Sequence, residues 1–170
     1  LLGQSRNDIN SSEYLHKIVG EEFSPCPYFN LEEEFILQQT LSSLIKNKLV
    51  VSAHDVSEGG LIITLLESAF TNELGFNVAA NDTAIRKDAY WFGESQSRIV
   101  VSVSAANEEA FKTSLQSSAV SFSLLGKVTA QAVKVDAEEW GSITEWKEKY
   151  DNAIGDILKR HESEEAMSVI

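Results

Sequence analysis

The stretch Leu49–Phe70 reads LVVSAHDVSEGGLIITLLESAF, and its three parts decide the fold around it. Leu49–Ala53 is a short apolar, β-branched run and reads as a buried strand. His54–Gly60 is polar and closes on two adjacent glycines. Leu61–Phe70 is apolar nearly all round, with Thr64, Glu67 and Ser68 on one narrow stripe, the pattern of a helix packed on most of its circumference. Strand, glycine-containing turn and buried helix place backbone N–H groups at a fixed point. A helix N-terminus leaves several of these donors unpaired and carries partial positive charge. Glycines there let another backbone or an anionic ligand approach closely.

Two readings of the turn stand side by side. In the structural one, Ser57 is an N-cap, Asp55 and Glu58 have capping-box spacing, and the helix end is satisfied without a ligand. Replacing Gly60 with Ala then costs about 1 kcal/mol of stability. In the other, the turn meets a ligand, and the same change abolishes activity while leaving folding largely intact. Asp55 and Glu58 would repel a bare phosphate, so such a ligand brings a metal ion, a hydroxyl or an amine.

Composition bounds the class. At 170 residues the chain is one domain that can bury a core without disulfide or metal staples. Lys and Arg number 14 against 26 Asp and Glu, a formal net charge of −12, which argues against a nucleic-acid or acidic-membrane surface. Cys26 is the only cysteine, so no intrachain disulfide and no cysteine-based metal site can form. No apolar run reaches transmembrane length, and the expected compartment is reducing and cytoplasmic. The opening Leu1-Leu2-Gly3 reads as the continuation of a longer protein.

Outward from the opening stretch, Ser11 or Ser12 caps a short helix to about Val19, with Gly20 as its stop. Asn30 and Glu33 have capping-box spacing at the head of a helix over 31–46, whose apolar face is Leu31, Phe35, Leu37, Leu41, Leu44 and Ile45. Strands are predicted at 76–80, 98–104, 120–125 and 132–135, with Gly126 in a turn. Helices are predicted at about 82–91, 107–117 and 143–158, and residues 159–170 read as a polar, frayed tail after a domain spanning 1–158. The middle of the chain runs strand, helix, strand, strand, helix, strand. This order predicts an α+β fold with a ferredoxin-like split β-α-β core, a mixed sheet and extra flanking helices.

Phe92-Gly93-Glu94-Ser95-Gln96-Ser97-Arg98 is the second informative stretch. Five consecutive polar residues at a strand entrance offer acceptors, donors and a cation within one turn. In the structural reading Arg98 pairs with Glu94 or Asp55, and the rest is solvated.

Together, Ala53-His54-Asp55-Val56-Ser57-Glu58-Gly59-Gly60-Leu61 and Phe92–Arg98 closely resemble the phosphoribosylformylglycinamidine synthase family, in the C-terminal domain of its synthetase chain. The Asp-x-Ser-x-Gly-Gly part is shared with the wider aminoimidazole ribonucleotide synthetase-like superfamily, and Gly-Glu-Ser-Gln-Ser-Arg points to this member. Glu58 stands where many relatives carry Asp, which keeps the charge. The resemblance implies an ATP-dependent ligase that converts formylglycinamide ribonucleotide to its amidine with glutamine-derived ammonia, in purine biosynthesis. It implies that ATP and magnesium are held mainly by domains outside this chain, that a glutaminase supplies ammonia, and that the isolated domain is inactive.

The family's substrate- or nucleotide-binding positions fall on Asp55, Ser57, Gly59, Gly60, Glu94, Ser95 and Gln96; no catalytic base and no metal ligand is assigned. The chain looks like the second of two paired domains, so its turns face either the active or the pseudo-symmetric site. His54 reads as a hydrogen-bonded structural histidine. A domain taken from such a pseudo-dimer should expose an apolar patch and self-associate through it. The alternatives are another ATP-dependent member of the superfamily, which Glu94-Ser95-Gln96 argues against, or a ferredoxin-like regulatory or docking module.

Overall fold

The computed structural model describes the backbone of residues 1–168 and side-chain surroundings through residue 159. A π-helical turn, Tyr14–Val19, precedes helix α1 (Leu31–Lys46). Then come β1 (Ser52–Asp55), α2 (Gly60–Phe70), β2 (Gly75–Val78), α3 (Lys87–Phe92) and β3 (Ile99–Ser102). After a short 3₁₀ turn follow α4 (Glu108–Gln116), β4 (Gly126–Thr129), β5 (Ala132–Val135), β6 (Glu138–Ser142) and α5 (Ile143–Ser168).

Two sheets organise these elements. β1 and β3 pair antiparallel, with Asp55 opposite Ile99. Leu2 bridges Ile99 on the other side of β3 and also bridges Phe122, so the first residues extend this sheet. The second sheet has the order β4-β2-β5-β6; β2 is antiparallel to β4 and parallel to β5, and β5–β6 is an antiparallel hairpin. The α+β class and the mixed sheet therefore hold, as does the antiparallel β1–β3 contact that the split order requires. The single ferredoxin-like sheet does not form, because β2 leaves β3 and pairs with the C-terminal strands instead.

α2 is the hub. Its apolar circumference supplies Leu61, Ile62, Leu65 and Leu66 to a core shared with Phe76 and Val78 of β2 and Val133 and Val135 of β5. It also touches β1 and β3, and so bridges the two sheets. A smaller core joins Leu37 and Leu44 of α1 to Leu2, Ile99, and Phe111 and Leu115 of α4. α1 begins as its sequence specifies: the Asn30 carbonyl oxygen of the side chain accepts the N–H groups of Glu32 and Glu33 at 2.9 and 3.1 Å.

Several boundaries differ from the sequence reading. β1 starts at Ser52, because Leu49 and Val50 pack on the smaller core ahead of the ladder. Segment 120–125 supplies only the Phe122 bridge, while Gly126 lies inside β4 and not in a turn. A Cβ there would stand 1.9 Å from the Asn77 carbonyl oxygen, so close strand approach is what demands the glycine. The turn comes later, at Asp136 and Ala137, both with positive φ (52° and 70°), the geometry of a two-residue hairpin loop. α3 begins at Lys87 and not near Asp82, whose carboxylate instead closes a turn on the Ala84 N–H. β6 is polar and was not expected. α5 continues past Leu158 to Ser168, and the end of the tail, 169–170, lies outside the described residues.

Candidate functional site: the corner formed by Gly59–Gly60 and Glu94–Gln96

α2 starts in an unusual way. Its N-cap is Gly59, at φ 81°, and no side chain of its own neighbourhood caps it. Gly60 follows at φ 73°, donating its N–H to the Ser57 carbonyl at 3.0 Å. Two consecutive left-handed residues favour glycine at both places. At Gly60 space matters as well: a Cβ would lie 2.7–2.8 Å from the backbone of Phe92 and Gly93. The Gly-Gly turn is thus pressed against the start of the Glu94–Arg98 segment.

The capping-box reading of Asp55 and Glu58 is not what forms. The N–H of Gly59 is taken by Glu94, 35 residues away, whose Oε1 accepts it at 2.9 Å. The same oxygen accepts the N–H of Glu13, 81 residues away, at 2.7 Å. A carboxylate oxygen has lone pairs for both donors. One atom therefore joins the head of α2, the segment before the π-helical turn, and the loop before β3. Tyr14 and Phe92 back this junction, their rings stacked 4.8 Å apart at 20°.

Arg98 fixes the loop from inside. The sequence reading paired it with Glu94 or Asp55. The guanidinium instead donates to two main-chain carbonyls, Gly93 at 2.6 Å and Ser95 at 3.0 Å. It is 2% exposed, and its Nη1 has no partner among the described residues. Burial draws the guanidinium down to about 10, and attraction to Tyr90, Asp8 and Glu94 opposes that. Ser95 is 1% exposed and turns inward, whereas Gln96 is exposed. Ser97, at φ 60°, donates its hydroxyl to Glu34 of α1 at 2.7 Å. Around the Gly-Gly turn, Asp55, Ser57 and Glu58 are all exposed.

The corner thus presents Asp55, Ser57, Glu58 and Gln96 to solvent around a rigid, hydrogen-bonded floor of Gly59, Gly60 and Glu94. Next to it, a depression of about 240 Å³ is lined by residues from Ser11 to Ser24, Glu13 among them. This 11–24 wall was missed in the sequence: a contact made through a backbone N–H leaves no side-chain signature. His54 is hydrogen-bonded, its Nδ1 3.0 Å from the Ser68 hydroxyl and its Nε2 3.7 Å from Glu67. Among the described residues, no group of three or more His, Cys, Asp or Glu side chains could hold a metal ion.

The sequence model described as AIR synthase related protein, C-terminal domain, matches residues 1–137. The chain belongs to that family. AIR synthase related relatives include the phosphoribosylformylglycinamidine synthase subunit PurL of Alkaliphilus metalliredigens, 38% identical over 135 residues that make up 79% of this chain and 18% of that protein. The same subunit of Leuconostoc mesenteroides is 42% identical over 113 residues, 66% of this chain and 15% of that protein. The chain accordingly spans about a fifth of the length of the relatives it matches. Among solved structures, Thermotoga maritima PurL complexed with FGAR superposes with a TM-score of 0.69 at 15% identity, over 84% of this chain and 26% of that one. That likeness shows that this chain shares its fold with part of that structure.

Proposed function

We propose that this chain is the C-terminal domain of a phosphoribosylformylglycinamidine synthase, and that its Gly-Gly and Glu-Ser-Gln turns form one ligand-facing corner of that enzyme. The observation that carries the reading is the bond between Glu94 Oε1 and the Gly59 N–H. It makes one site of two motifs that could have lain on opposite sides of the molecule. In the full enzyme, formylglycinamide ribonucleotide, ATP and ammonia from a glutaminase would give the amidine, ADP and phosphate. This chain's part is positional and electrostatic. The exposed Gln96 amide can donate and accept, and Asp55 and Ser57 can accept from hydroxyl or amine groups.

Magnesium and most of the ATP contacts are assigned to the remainder of the enzyme, as the resemblance to the synthase family implies. The compartment proposed with this function is the cytoplasm. The partners are the preceding synthetase domains and a glutaminase. Leu31 and Phe35 on the outer face of α1, 72% and 61% exposed, support a covering neighbour, and the isolated fragment would self-associate through that face.

The test is steady-state kinetics of the full-length enzyme carrying Gln96→Ala or Ser57→Ala. Both side chains are exposed, so folding should be untouched. We expect KM for the ribonucleotide or for ATP to rise about tenfold, the size of one lost polar contact to a charged group. Wild-type kinetics in both variants would remove any ligand role for the corner, leaving the docking-module reading.

A further inference from the structure

We infer that Glu94 is a positioning residue, acting through one oxygen atom that holds the Gly59–Gly60 turn and the 11–24 wall as a single unit. Family likeness places Glu94 among ligand-contacting residues. Its geometry here gives Oε1 different work, because that atom already accepts from two backbone donors at 2.7 and 2.9 Å.

The loop that carries Glu94 is fixed independently. Arg98, buried beneath it, holds the carbonyls on both sides of Glu94, those of Gly93 and Ser95. Gly93 has no room for a side chain, since a Cβ would sit 2.3 Å from the Ala89 carbonyl oxygen and 2.5 Å from that of Asp8. Glu94 therefore projects from a fixed base and grips two segments from distant parts of the chain. Gly59 and Gly60 are two left-handed glycines in succession, a backbone whose course depends on what anchors it. The 11–24 wall is held near it by the Tyr14–Phe92 stack and by Glu94. Remove the oxygen and the head of α2 loses the one side-chain cap it has among the described residues, while the wall loses its polar tie to the corner.

This role needs an acceptor of the right shape, not a negative charge. Glutamine keeps a carbonyl oxygen where Oε1 stands, whereas alanine keeps nothing. A residue that met its ligand through charge would fail equally with either.

The experiment uses the full-length enzyme with Glu94→Ala and Glu94→Gln. Backbone hydrogen exchange is followed in peptides covering 11–20 and 57–63, alongside KM and kcat for the ribonucleotide substrate. Expected for Glu94→Ala is faster exchange in both peptides together and a KM raised about tenfold or more. Expected for Glu94→Gln is native exchange in both and a KM within about threefold of wild type. Unchanged exchange in either peptide of Glu94→Ala would overturn the inference. So would a Glu94→Gln enzyme with native exchange and a KM as high as that of Glu94→Ala. Should Glu94→Ala fail to fold, Glu94→Gln alone decides, by the same pair of readouts. The kinetic arm rests on the function proposed above and the exchange arm does not, so a failure of that function leaves the exchange result standing.

Discussion

Gly60 is where sequence reasoning and geometry part most sharply. As a helix-start glycine it would cost about 1 kcal/mol to replace. In the folded chain it sits at φ 73° with its missing Cβ directed into the backbone of Phe92 and Gly93 at 2.7–2.8 Å. Neither neighbour is a side chain that can swing aside. The left-handed strain and the backbone clash together give Gly60→Ala a destabilisation of about 2–4 kcal/mol. Denaturant unfolding of the full-length protein should show that loss, whereas Gln96→Ala should stay within about 0.5 kcal/mol of wild type. Gly60→Ala is therefore no clean probe of ligand contact, since it disturbs the fold that builds the site. The sequence announced that these glycines matter. What they lie against is fixed by a segment some thirty positions later, and no local pattern encodes that distance.

At the level of elements, helices were easier to read than strands. α1, α2 and α4 carry caps or apolar stripes that come from their own residues, so a short window contains the information. β4 and β6 do not. Gly126–Thr129 becomes a strand only because β2 lies beside it, and Glu138–Ser142 is a polar edge strand with no alternation to betray it. Asp136 is the side chain that ties this region together. Its Oδ1 accepts the Ala80 N–H at 2.8 Å, and its Oδ2 accepts from Trp91 Nε1 at 3.2 Å and Lys87 Nζ at 3.1 Å. Burial alone would raise its carboxyl, but those hydrogen bonds outweigh it and hold the group below the usual carboxylate range.

A carboxylate depressed in the folded state adds stability above its unfolded value, and that stability is lost as pH falls through the folded value. Asp136→Asn should therefore be less stable than wild type at neutral pH, by about 1–3 kcal/mol. The gap should begin to shrink below about pH 4 and close as pH falls through the depressed folded value. Thermal unfolding of both proteins across that range checks the sign; a gap that widens on acidification would contradict it.

For the whole molecule, the class and the central α2 were legible, and so was the pairing of the two motifs into one family signature. Which faces stay uncovered was not. Periodicity put Leu31 and Phe35 on the apolar side of α1 together with Leu37 and Leu44, yet the first two are exposed and the last two buried. A stripe records that a residue is covered in the working protein, not which chain segment covers it. Under the proposed function, a neighbouring domain of the synthase covers that face.

The same limit makes the corner a claim about the full enzyme. Its two motifs are 35 residues apart in sequence and one hydrogen bond apart in space. The most direct measurement is hydrogen exchange of the full-length protein with and without formylglycinamide ribonucleotide and with and without ADP. One of these ligands should slow exchange at 57–63 and at 93–98 together, with a shared concentration dependence. Protection at neither segment, with the ligand demonstrably bound elsewhere on the protein, would contradict a ligand-facing corner here.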